Sequence, residues 1–247
     1  MLRTRTIQLT RPASRYFASS CQSYNASTST QQEPSTRSLT PEEKRHLEPM
    51  IRVDQSGEVG AYYIYKGQMA VLGGDKALRP LLQEMWDQEK KHLELFNGLV
   101  GEHRVRPSLL RPVWEIAGFA VGAGTALLGK EAAMACTEAV ETVIGNHYND
   151  QLRELHGFKP HNQQLTYLSE TIATCRDEEL EHHDIAVAHD AHRAPFHSAL
   201  SAVIKQGCKG AIWIAERNRY DDDDDDNDDD DDNDDSTTAL DHLLRLF

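Results

Sequence analysis

The sequence predicts an all-α protein, a four-helix bundle with two additional helices. Three observations predict it. Apolar residues recur at spacings of three and four through the body of the chain, the alternating β-branched runs of strands are missing, and the two halves of the body repeat one another. A chain of 247 residues, 39% of them apolar, suffices for one domain with a real core and accessory segments at its ends.

The N-terminal segment 1–40 carries Arg3, Arg5, Arg11, Arg15 and Arg37, is rich in Ser and Thr, and has no acid before Glu33. It lacks the apolar run of a secretory signal, so it reads as a mitochondrial transit peptide and linker, a composition that a merely disordered N-terminus shares. Helical segments are then expected at about 41–72, 75–101, 113–129, 131–156, 162–193 and 196–218. Thr40, Pro41 and Glu43 form a strong start signal, with a capping hydroxyl, a proline at the first position and an acid three residues on. Gly73-Gly74, the stretch from Arg104 to Pro112, the stretch from Gly157 to His161, and Ala194-Pro195 punctuate the rest.

The segment 41–220 is one helical domain, and 221–247 is an Asp-rich low-complexity tail. That tail explains most of the net charge of -14, because its Asp run alone holds 13 negatives; with the N-terminal segment at +4, 41–220 carries only -5. Such a run repels itself and stays solvated. A mildly acidic body has no footprint for nucleic acid. Cys21, Cys136, Cys175 and Cys208 lie far apart with no CxxC pair, which excludes a disulfide scaffold and a zinc knuckle.

The chemistry sits in the repeat. Glu58 is followed at +7 by Tyr65 and at +10 by Gln68; Glu141 is followed at the same offsets by Tyr148 and Gln151. Each half then delivers Asp-x-Glu-x-x-His, as Asp87, Glu89 and His92 and as Asp177, Glu179 and His182. Positions i and i+3 share a helix face, so each Glu-x-x-His can grip one ion. One Glu from each of two helices with Glu-x-x-His from each of two others is the di-iron or di-manganese carboxylate arrangement of helical bundles. Four carboxylates also balance two divalent ions, and without metal they must take up protons.

A third Glu-x-x-His, Glu43 with His46, lacks the Asp and any repeat partner and is read as chance. Asp87 and Asp177 are candidates for orienting the histidines from outside the ligand set, although two residues along a helix is a poor direction for it. Glu138 is an alternative to Glu141, which is preferred for its +7 Tyr and +10 Gln. Glu178, Glu181 and His183 read as surface groups or outer partners. Tyr65, His147 and Tyr148 are candidates for substrate or electron contact, or for core packing with a satisfied polar tip.

The stretch Ile116 to Gly129 is uncharged but, at 14 residues, too short for the roughly 20 needed to cross a bilayer. It suits a membrane interface, the wall of an apolar channel, or an inner helix. The last helix carries a stripe of Phe196, Leu200, Val203, Ile204, Gly207, Ala211 and Ile214, with Lys205 and Lys209 off it. This amphipathic pattern fits an anionic membrane surface, a homo-oligomer or another partner.

The segments IRVDQSGEVGAYYIYKGQMAVLG, MWDQEKKHL, GFAVGAGTALLGKEAAMACTEAVE and RDEELEHHDI closely resemble the mitochondrial demethoxyubiquinone hydroxylases of coenzyme Q biosynthesis, over about 48–218. The resemblance implies a ferritin-like bundle holding two Fe ions through Glu58, Glu89, His92, Glu141, Glu179 and His182. His147 and Tyr148 match a His-Tyr pair near that family's site. The implied reaction is O2-dependent hydroxylation of the ring of a polyprenylated demethoxy-benzoquinol, with NADH as an electron donor. The resemblance also implies peripheral placement on the matrix face of the mitochondrial inner membrane, in a biosynthetic complex with a lipid-binding accessory protein. Members usually end near the position of Glu216 and Arg217, so the Asp run and the leucines after it are extra. The competing classes are ferritin-like or rubrerythrin-like iron and peroxide handling, which the absence of a four-cysteine site and the apolar 109–129 stretch disfavour, and a quinone or lipid carrier, which the intact ligand set disfavours.

Overall fold

A computed structural model describes residues 38–158 and 162–217. The expected transit segment, the Asp run and the leucine-rich end lie outside the described residues, apart from positions 38 to 40. Among the described residues there are six α-helices and no strand: α1 (Pro41–Leu72), α2 (Arg79–Glu102), α3 (Arg111–Leu127), α4 (Lys130–Gly157), α5 (Gln163–Ala188) and α6 (His197–Arg217), with a 3-10 turn (Ala191–Arg193) before α6. Helices α1, α2, α4 and α5 form the bundle, while α3 packs on α1 and α6 on α4.

Local chemistry explains most of the ends. At α1 the Thr40 hydroxyl accepts from the Glu43 N–H at 3.2 Å, and the Glu43 carboxylate accepts the Thr40 N–H at 2.7 Å. The expected start is therefore met by a reciprocal capping box. Helix α2 begins at Arg79 rather than Gly74's neighbour, because the Asp75 carboxylate accepts the N–H groups of Ala77 and Leu78 and holds a turn. Asn162 caps α5 by accepting the Gln164 N–H at 2.8 Å. That helix stops at Ala188, short of the expected 193, since Asp190 adopts a left-handed conformation with φ 72°. Gly129, at φ +117°, makes the break between α3 and α4 that no side-chain-bearing residue would favour.

Two large apolar clusters fill the bundle, beside a smaller one of Ile64, Cys136 and Val140. Leu47, Ile51, Phe96, Leu155, Leu168 and Ile172 form one, and Leu82, Met85, Ala132, Met134 and Ala186 belong to the other. On all four bundle helices the glutamates singled out by the repeat fall between these clusters in sequence, so the polar residues occupy the middle of an otherwise greasy core.

Helix α3 is not an inner helix, and that reading is corrected. Its Gly118 and Gly122 let it lie backbone to backbone on α1: a Cβ at Gly118 would sit 2.6 Å from the Gly60 carbonyl oxygen, and one at Gly122 only 2.0 Å from that of Ile64. From the other side, a Cβ at Gly67 would meet the Phe119 oxygen at 2.4 Å. With the small residues spent on that contact, Ile116, Phe119, Val121 and Leu127 are left exposed. The expected stripe on α6 is also only partly used. Leu200, Ile204 and Cys208 pack inward, but Val203 and Phe196 are exposed and Ser201 and Ala215 are the buried residues.

Candidate metal centre

The six expected ligands come together. Glu58, Glu89, His92 and Glu179 form one cluster and Glu89, Glu141, Glu179 and His182 a second, each with ligand atoms within 4.8 Å of one another and every member buried. Glu89 and Glu179 belong to both. Each cluster thus takes three residues from one helical hairpin and a shared carboxylate from the other.

The donor atoms are arranged for a metal rather than for each other. Glu58 Oε2, both oxygens of Glu89 and of Glu179, Glu141 Oε2, and Nδ1 of His92 and His182 are buried without a hydrogen-bond partner. His92 Nδ1 lies 3.0 Å from Glu179 Oε1, and His182 Nδ1 lies 3.0 Å from Glu89 Oε1. Orphaned polar atoms at this depth are costly unless an ion satisfies them. The carboxylate and imidazole donors suit divalent iron or manganese, so the residues present fit a two-ion group.

Of the groups that turn the imidazoles inward, Glu178 is one of the expected outer partners and Gln88 is not. His92 Nε2 meets Glu178 Oε2 at 2.6 Å, and His182 Nε2 meets the Gln88 amide oxygen at 2.6 Å. An amide oxygen only accepts, so His182 donates from Nε2, and the proton it would give up to a metal is the one on Nδ1. Asp87 and Asp177 do not take this role. Both are exposed; Asp87 holds Lys90 and Gln83, and Asp177 holds Arg176. At 100° per residue, the position just before each ligand glutamate faces the neighbouring helix, whereas two before it faces water.

The repeated tyrosines and glutamines are cross-wired. Tyr65 on α1 donates to Glu141 on α4 at 3.1 Å, and Tyr148 on α4 donates to Glu58 on α1 through a short bond. Gln68 donates to Thr137, and Gln151 to Asp54, each acceptor standing one turn before the opposite ligand glutamate. His147 lies beside Tyr148 but faces elsewhere, with Nε2 at 3.4 Å from Asp54, on the floor of a cleft of about 640 Å³ that His46, Met50 and Glu216 also line.

Without metal the centre holds protons. Burial, with Glu179 and Glu89 adding to it, pushes Glu58 well above the usual carboxylate range; burial does the same to Glu141, and Glu89 is also raised. Burial would lift Glu179 too, but His182 and His92 outweigh it and hold that carboxyl at about 2. For His92 burial lowers the pKa, yet Glu179 and Glu58 carry it to about 11; for His182, Glu179 and Glu89 carry it to about 10 against the same opposing effect. Burial likewise works against the His147 imidazolium, but Asp54 raises its pKa overall.

The remaining candidates fall outside the centre. Glu43 caps α1 and His46 meets Glu154 at the surface, as expected of a chance motif. Glu138 turns away to His197. Glu181 is exposed, and His183 bonds its neighbour Asp184.

Residues 45–215 match the family described as "Ubiquinone biosynthesis protein COQ7". A bovine (Bos taurus) protein named NADPH-dependent 3-demethoxyubiquinone 3-hydroxylase, mitochondrial, is 54% identical over 171 residues, which is 69% of this chain and 77% of the relative. The 5-demethoxyubiquinone hydroxylase, mitochondrial, of Saccharomyces cerevisiae is 48% identical over 194 residues, covering 74% and 83% of the two chains. A bacterial relative, the 3-demethoxyubiquinol 3-hydroxylase of Rhodospirillum rubrum, is 51% identical over 171 residues, 69% of this chain and 78% of its own. With its bundle, its inward-facing carboxylates and imidazoles, and these relatives, the chain belongs to the COQ7 family of ubiquinone biosynthesis proteins.

Proposed function

We propose that this protein is a di-iron monooxygenase that hydroxylates the ring of a polyprenylated demethoxyubiquinol with O2 in ubiquinone biosynthesis. The observation that carries the reading is the pair of buried clusters sharing Glu89 and Glu179, in a chain whose relatives are named as demethoxyubiquinone or demethoxyubiquinol hydroxylases.

Glu58, Glu89, His92, Glu141, Glu179 and His182 would hold the two irons, with His92 and His182 binding through Nδ1. The ions supply the activation of dioxygen; the protein supplies position and polarity. Glu178 and Gln88 fix the two imidazoles. Tyr148 and Tyr65, whose hydroxyls burial keeps protonated well above the usual range, fix Glu58 and Glu141. His147 faces the cleft and shares a proton with Asp54, one residue from Tyr148, which suits a proton donor at the approach to the centre. Electrons come from reduced nicotinamide: the resemblance implies NADH, and the name of the bovine relative specifies NADPH.

The protein works peripherally on the matrix face of the mitochondrial inner membrane, where a polyprenyl substrate resides, within a biosynthetic complex. The S. cerevisiae and bovine relatives are named as mitochondrial. Among the described residues no helix is long and apolar enough to cross a membrane, and the exposed apolar face of α3 suits contact with its surface.

The full chain, loaded with iron, should convert a demethoxyquinol under labelled dioxygen to a product carrying one labelled oxygen, with NADH and NADPH compared as reductants. Glu179→Ala, which removes a member of both clusters, should lose iron and product together. Ferric core formation without labelled product would instead select iron handling on the same bundle.

A further inference from the structure

A second set of metal-ligating side chains converges away from the central cluster. Glu138 on α4, His192 in the 3-10 turn and His197 at the start of α6 each offer a ligand atom within 4.8 Å of the others. Glu138 is a buried carboxylate; its Oε2 lies 2.6 Å from His197 Nε2, and its Oε1 lies 3.6 Å from His192 Nε2. The two imidazole rings stand 5.0 Å apart at 74°. The backbone is bent to bring them there. Phe196, directly before His197, holds φ 52° although it is aromatic, and its side chain is 88% exposed, so its own packing does nothing to offset that conformation. At the other end of the turn Asp190, at φ 72°, is tied to Lys130 at 3.0 Å.

We infer that Glu138, His192 and His197 form a separate site for one divalent cation of the zinc class. Two imidazoles and a carboxylate select such an ion over magnesium or calcium, which favour oxygen donors. Three protein ligands leave a fourth position for water, on the side where His192 is 62% exposed. Zinc at the usual bond lengths sets its donors about 3.3 Å apart; the carboxylate reaches His197 Nε2 at 2.6 Å through one oxygen and His192 Nε2 at 3.6 Å through the other, and one ligand atom from each of the three residues lies within 4.8 Å of the rest. The ion clips α6 and the 3-10 turn to α4 one turn before Glu141. The site does not depend on the iron reading and shares no residue with it.

The test uses the full, iron-loaded chain titrated with Zn2+ by calorimetry, comparing the parent with His192→Ala, His197→Ala and Glu138→Gln. The Asp run contributes the same oxygen-only background to all four. The parent should bind one zinc more tightly than each variant by at least about 100-fold, since even loss of an outer partner of a metal ligand costs 10–100-fold. Zn2+ should also raise the melting temperature of the parent and not that of His192→Ala, whose exposed site leaves the fold intact. Iron per chain should be equal throughout. Equal zinc stoichiometry and affinity in the parent and in His192→Ala overturns the site. Release of iron on adding Zn2+ to the parent also overturns it, because zinc is then entering the central cluster.

Discussion

Replacing Gly122 by alanine tests whether α3 is held to α1 by backbone contact. The added Cβ would lie 2.0 Å from the Ile64 carbonyl oxygen, 2.7 Å from its carbon and 2.8 Å from its Cα. All three are main-chain atoms of a bundle helix, so no side chain can swing aside. The helices must separate by about 1 Å or more to reach normal contact, which places the change at the upper end of overpacking costs, about 3 kcal/mol. For a chain of this size each kcal/mol moves the melting temperature by about 2–4 °C, so Gly122→Ala should melt about 6–12 °C lower. Gly124, two residues on, is the control. It has nothing within 4 Å of its ideal Cβ, and Ala is the better helix former by about 0.8–1 kcal/mol, so Gly124→Ala should melt about 2–4 °C higher. Thermal unfolding of both variants by circular dichroism, at equal iron content, reads the two signs. A Gly122→Ala protein melting with the parent, or a Gly124→Ala protein falling alongside it, would refute the close crossing.

Gln88→Ala and Glu178→Ala should each weaken iron binding by about 10–100-fold in chelator competition, while Asp87→Ala and Asp177→Ala leave it unchanged; the reverse pattern would return the orienting role to the aspartates. Tyr148→Phe strips Glu58 of its buried donor and should cost about 1–3 kcal/mol in urea unfolding of the metal-free chain, with Phe96→Leu, beside the same ring, as a packing control. Apparent iron affinity should rise with pH. His92 and His182, held at about 11 and 10 without metal, must both shed protons, so between pH 6 and 8 the binding constant should gain about 100-fold per unit, and more where carboxyls also deprotonate. A slope near zero in calorimetry would show that the metal-free centre does not carry those protons.

The convergence of the six side chains was legible because the repeat is written in residue types: a Glu with Tyr at +7 and Gln at +10, then Glu-x-x-His, fixes helix faces without any knowledge of packing. Partners across the bundle were not legible in that way. Gln88 is an ordinary helix residue until a neighbouring histidine arrives, Glu178 could be placed only as a surface group or an outer partner, and the spacing of Asp87 and Asp177 points both into solvent. Helix α3 shows a similar limit. A glycine-rich apolar stretch fits either an inner position or a surface one; the choice turned on whether the glycines face a backbone, which only α1 decides. The left-handed residue Asp190 shortened α5 because a single φ value ends a helix whose side-chain pattern continues.

Neither hairpin can finish its own half of the centre. Tyrosine, glutamine and the partner of each histidine all reach over to the opposite half, so two identical copies of one hairpin, facing each other about a twofold axis, would reproduce every link. Carried on one chain, the halves need not match, and they do not: an amide backs His182 where a carboxylate backs His92, and Thr137 stands where Asp54 does. Two ions held there would therefore sit in chemically unequal positions, with the stronger electron push behind His92.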